Sequence, residues 1–132
     1  MKTWSITELD VRPRKPEILA SSEDARVIVI DLPAGETLED HEVHERAWLT
    51  VVAGEIEVTT LAGPPSSSVL AGVGSLIEFE PAERHRVDAR SDSRFLLMLT
   101  PFPGPGHPGA MSIEEKAHVR ERAAERDVTG AD

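Results

Sequence analysis

From Ala25 to Phe102 glycines and prolines cut the chain into short apolar runs that recur about every eight to twelve residues, and this punctuation limits the fold more than any other feature. "ARVIVIDL" (25–32) is a β-branched run closed by the turn "PAGE", and it reads as a strand buried on both faces. "RAWLTVVAGEIEVTTL" (46–61) reads as two strands around Gly54, and "SVLAGVGSLIEFEP" (68–81) as another pair around Gly72 and Gly74. "HRVDA" (85–89) is a short strand after a proline-led turn, and "RFLLMLTPF" (94–102) closes the set. Runs this short, with turns between them and no intervening helical period, indicate an antiparallel sandwich or barrel rather than βαβ units.

Two flanks frame this β region. Residues 1–24 form an N-terminal arm with an edge strand, ahead of a barrel over 25–100. Residues 101–132 begin as a Pro/Gly loop, "PFPGPGHPGAM", and continue as a helix that Ser112 and Glu115 open with a capping-box pattern. Its apolar stripe, Ile113, Ala117 and Ala124, is thin and suits leaning on the barrel or on a second subunit.

Composition removes several kinds of function. A formal charge of −10 repels phosphate backbones, so nucleic acid is not an expected partner. No run approaches the roughly 20 apolar residues of a membrane span, and "MKTWSITELD" has no apolar stretch of signal-peptide length. With no cysteine there are no disulfides, thiolate ligands or thiol nucleophiles, and a cytoplasmic location is the expectation. No serine lies in a G-x-S-x-G context, and no glycine-rich loop leads from a strand into a helix.

What stands out is the placement of histidines. "DHEVHERAWLTVVAGEIEV" (40–58) sets His41 and His44 three residues apart just ahead of a strand, and His85 precedes a later strand in a similar way. Alternation along a regular strand puts residues 41, 43, 45 and 47 on one face, with Glu45 inward and His44 outward.

Two of these segments resemble the motifs of the cupin superfamily. "GETLEDHEVHERAWLTVVAG" is similar to the first, G-x5-H-x-H-x3–4-E-x6-G, and "GSLIEFEPAERH" is similar to the second, a glycine, a short strand, a proline turn and a histidine. Residues 55 to 73 between them are of cupin length, and with the strands the resemblance covers roughly 25 to 100. It implies a mainly β fold, a double-stranded antiparallel β-barrel or jelly roll, here followed by a C-terminal helix. Carried across by position, Gly35 and Gly54 bound the first motif, His41 matches its first histidine, and His85 matches the histidine of the second. Val43 stands where the second histidine belongs, Ala47 where the glutamate belongs, and Glu83 where the second motif has a glycine. The H-x-x-H spacing departs from H-x-H by one residue, which favours a bulge between Asp40 and Arg46 that turns His44 inward.

The resemblance therefore implies a divalent transition metal (Zn, Fe, Ni, Mn or Cu) held by His41, His44 and His85. Glu45 would be a fourth ligand or a base, and His107, in the Pro/Gly loop, would guard the mouth. Leu49, Val51, Ile77, Phe79, Val87 and Leu97 would wall the interior against water. Two functions follow. One is a metal-dependent oxygenase or isomerase acting on a small organic substrate. The other is a non-catalytic module that binds or senses a small molecule at a degenerate metal site, and Val43 and Ala47 weigh toward it. A homodimer is expected, through the Trp48, Thr50 and Val52 face and the N-terminal Trp4, Ile6 and Leu9.

Overall fold

β-Branched and aromatic residues build most of the strands, and a glycine or proline directly ends four of the nine among the described residues. The computed structural model describes residues 1–22, 24–61 and 66–103; the side chains of Asp40 and His41 fall outside the described set. The described residues form β1 (Glu17–Ser21), β2 (Arg26–Leu32), β3 (Thr37–His41), β4 (Arg46–Ala53), β5 (Glu55–Thr60), β6 (Ser67–Gly72), β7 (Leu76–Phe79), β8 (His85–Ala89) and β9 (Ser93–Thr100). Every expected run is a strand, and Gly54 and the Gly72–Gly74 pair divide their segments as read from the sequence. His107 and the expected C-terminal helix lie outside the described residues. Among the described residues no helix is long and apolar enough to cross a membrane.

The strands pair antiparallel in two sheets, the first in the order β1-β2-β9-β4-β7 and the second in the order β3-β8-β5-β6. They form the double-stranded barrel, with the core between them. Leu49 and Val51 of β4, Ile30 and Leu32 of β2, and Phe95 and Leu99 of β9 meet Ile56, Val58, Val87 and Ala89 of the second sheet. Ile77 and Leu97, expected in the wall, are partly buried against the same cluster. Each such Val, Leu, Ile or Phe side chain contributes about 1.5–3 kcal/mol by leaving water.

β2 buries apolar residues on both faces, Ile30 and Leu32 on one and Val29 on the other, while Val27 and Ile28 nearer its start are partly buried. Its outer face lies under the N-terminal arm, where Val29 and Val11 are both buried. The arm is tied down by Pro13, which bridges to Asp31, and by Arg14, whose amide donates to the Asp31 carbonyl at 2.7 Å. Arg94 forks onto the Asp31 carboxylate at 2.5 and 2.9 Å and donates to the Ile6 carbonyl at 2.8 Å.

Candidate functional site

The phase of β4 decides which residues of the first motif face the interior. Ala47, Leu49 and Val51 are buried while Arg46, Trp48 and Thr50 alternate outward. Leu49 and Val51 cannot leave the core without a large loss, so they fix the register, and the register reaches back along the chain. Glu45 is in phase with them and only 2% exposed. His44, one residue earlier, is exposed.

This reverses the expected order of the two residues. The irregularity lies earlier than expected, on β3: Leu38 pairs with Val87 and His41 with His85, so β3 carries one extra residue between them. Residues 44 and 45 then bend into β4, and across that bend His44 is exposed while Glu45 is buried. The same register sets His41 opposite His85 on the neighbouring strand.

His85 opens β8, where residues 85, 87 and 89 are buried and Arg86 and Asp88 alternate outward as an ion pair at 3.2 Å. It is 2% exposed, and its ring stacks on Phe79 with centroids 3.9 Å apart and 11° between planes. Phe79 pairs with Ala47, so His85 and the entry to β4 share one end of the barrel. The Nδ1 atom of His85 lies 3.1 Å from the carbonyl oxygen of Glu83. A carbonyl only accepts, so Nδ1 carries the proton. In the neutral ring the lone pair is then on Nε2, the arrangement that metal-binding histidines adopt.

Glu83, the departure from the motif's glycine, holds this turn. Its carboxylate accepts the Thr60 hydroxyl at 2.6 Å and the Glu80 amide at 3.0 Å, and its own amide donates to the Glu80 carbonyl at 3.1 Å. Nothing in the sequence marked Glu83 as a supporting residue beyond its place in a proline-led turn. The turn is also joined to the first motif, because the Ala82 amide donates to the Val43 carbonyl at 2.8 Å. Val43 packs against the core and Ala47 lies within it, so two positions that carry metal ligands in the motif make apolar contacts here.

Arg46 faces outward beside the site and donates to Glu78 at 2.6 Å and to Glu80 at 2.8 Å. Hydrogen bonding and charge from Arg46 hold the Glu80 carboxyl below its ordinary value, and the two carboxylates raise the guanidinium above its own. Among the described residues no group of three or more His, Asp or Glu side chains is placed to hold a metal; the His41 side chain lies outside that set.

A family model described as "Cupin domain" matches residues 21–101. No curated protein matches the chain. Among solved structures, an RmlC-like cupin from Desulfovibrio desulfuricans is 23% identical, with a TM-score of 0.66 over 76% of this chain and 97% of that one. A cupin superfamily protein from Desulfitobacterium hafniense is 12% identical, with a TM-score of 0.63 over 73% of this chain and 86% of that one. Bacillus subtilis oxalate decarboxylase, which has Mn(II) centres, is 24% identical with a TM-score of 0.58; the match covers 70% of this chain but 23% of that one.

Proposed function

The chain belongs to the cupin domain family, and from that premise we propose that it binds a divalent transition metal and a small organic ligand at the barrel end around His85 and Glu45. The observation that carries this reading is the buried imidazole of His85, with Nδ1–H held by a backbone carbonyl and a buried carboxylate, Glu45, at the same end. His41, set beside His85 by the register, is the third member of the set. Imidazole nitrogen and carboxylate oxygen suit Zn, Fe, Ni, Mn or Cu. When bound, such an ion acts as a Lewis acid that polarises a ligand oxygen.

The chain's own groups have separate tasks. Glu83 keeps the turn closed and the imidazole in one tautomer. Phe79 holds the ring plane by stacking, and Leu49, Val51 and Val87 keep the interior dry so that polar contacts there are strong. Fewer protein ligands than the motif supplies leave more positions to an incoming ligand. On this reading an oxygenase or isomerase acting on a small organic substrate is the catalytic form.

Val43 and Ala47 favour a second reading, a non-catalytic binding or sensor cupin. Elemental analysis of freshly purified protein separates the two. Stoichiometric metal in the parent and in His44→Ala, with loss in His85→Ala and Glu45→Gln, supports the metal site. Equal metal content in His85→Ala and the parent refutes it, and a parent without metal leaves the binding module.

A further inference from the structure

Four of the eight large apolar residues that are most exposed among the described residues fall in one short segment, residues 69–76: Val69 (51%), Leu70 (57%), Val73 (70%) and Leu76 (64%). This segment crosses between the sheets, from β6, the last strand of the second, to β7, the last strand of the first. β6 pairs only with β5 among the described residues, so its other edge presents backbone donors and acceptors in a row. Natural edge strands usually carry a charge, a proline or a bulge that discourages pairing. β6, "SSVLAG", carries none of these, and its register with β5 is unbroken.

Charge identifies the occupant. A two-fold interface places a surface against its own copy, so a surface dominated by one sign of charge meets that same sign. At a net −10 most of this surface is poorly suited to self-association. Residues 58–77 contain no Asp, Glu, Lys, Arg or His. The carboxylates at either end of that stretch are already paired within the chain, Glu57 with Arg90 at 3.0 Å and Glu78 with Arg46 at 2.6 Å. The patch is therefore apolar, open along a strand edge and neutral toward a second copy of itself.

We infer that β6 pairs antiparallel with β6 of a second copy, joining two four-stranded sheets into one of eight strands, with Leu70, Val73 and Leu76 covered at the seam. This differs from the face that the sequence suggests for a dimer. Part of that outer face is covered from within the chain, since Val11 of the arm and Val29 of β2 are both buried and Trp48 and Thr50 are half-buried. The pairing is closed, because each copy has one β6 edge and uses it once. It requires neither a metal nor a ligand.

Sedimentation of the full chain across a micromolar concentration series tests this. The parent should run at twice 14.4 kDa. Leu70→Lys and Val73→Lys, both at exposed positions and each checked for native circular dichroism, should weaken the dimer by more than about tenfold, since the axis presents each lysine twice. Met98→Lys, on the outer face of the first sheet, should leave it intact. Amides 67–72 should exchange slowly in the parent and faster in Leu70→Lys. A parent that stays at 14.4 kDa overturns the inference. So does a dimer broken by Met98→Lys but not by Leu70→Lys, assembly beyond two copies, or equal exchange rates in the two proteins.

Discussion

Replacing Gly54 by alanine should cost far more than the same change at Gly35 or Gly74. All three glycines have positive φ, at 76°, 82° and 92° respectively. A Cβ in this left-handed region costs about 1–2 kcal/mol, partly offset by about 0.4–1 kcal/mol from a less flexible unfolded chain. At Gly35 and Gly74 nothing lies within 4 Å of the added carbon, so a net loss of about 1 kcal/mol is the whole effect. At Gly54 the carbon would sit 2.3 Å from the Asp92 carbonyl oxygen, 2.5 Å from Ser93 Oγ and 2.8 Å from Ser93 Cα.

Two of these three atoms are backbone, so relief requires the turn before β9 to move. That turn is tied to the start of β5: Arg90 N and Ser93 Oγ donate to the Glu55 carbonyl at 2.9 and 3.0 Å, and the Glu55 amide donates to Ser91 Oγ at 2.9 Å. Overpacking of this kind costs about 1–3 kcal/mol, and each hydrogen bond that opens adds about 1 kcal/mol. The sum is about 3–5 kcal/mol, a large share of the roughly 5–15 kcal/mol that holds a domain together. With a urea slope of about 1.5 kcal/mol/M, the midpoint should fall by about 2–3 M in Gly54→Ala and by under about 1 M in the other two. Equal midpoints for all three variants would refute the close approach, and Gly54 would then be a matter of backbone angle alone.

Two further outcomes concern the outer face and the turn beneath His85. Because Arg46 lowers the Glu80 pKa on folding, its stabilising share is complete above the ordinary value of 4.5 and fades as pH falls through the lowered one. The gap in melting temperature between the parent and Glu80→Gln should therefore narrow between pH 5 and pH 3, and a constant gap would exclude Arg46 as the cause. Glu83→Gly restores the motif's residue but removes the bonds to Thr60 and the Glu80 amide, costing about 1–2 kcal/mol and leaving His85 a mixture of tautomers by nitrogen NMR. A single Nδ1–H tautomer with unchanged stability would show that the carbonyl holds without its carboxylate.

Most of the fold was legible because each strand announces itself locally. β4 alternates, β2 is unbroken, and glycine stands in the turns after β2, β4 and β6. β3, "TLEDH", shows little apolar alternation, and its register depends on pairing with β8, a strand more than forty residues away. The extra residue on β3 is settled by that pairing, so the sequence could not say whether the break fell before or after His41. The orientation of His44 and Glu45 followed from that one placement. Glu83 was hidden for a related reason, since its partner Thr60 is on β5 and only the folded barrel brings the two together.

Glu45 also explains how this chain can lack the motif's glutamate and still present a carboxylate inside. Side chains on a strand repeat with period two, so a carboxylate moved by one residue from position 47 would point to the outer face, as Arg46 and Trp48 do. Moved by two, it would return to the same face of a continued strand, and Glu45, in the bend just before β4, is buried in that phase. Ala47, left without a polar group, lies in the core, and Phe79, its partner on β7, stacks on His85. The apolar residue at 47 and the acid at 45 are thus both buried at the entry to β4. Apolar packing has taken the deeper position, and the carboxylate stands one step nearer the end from which β4 begins.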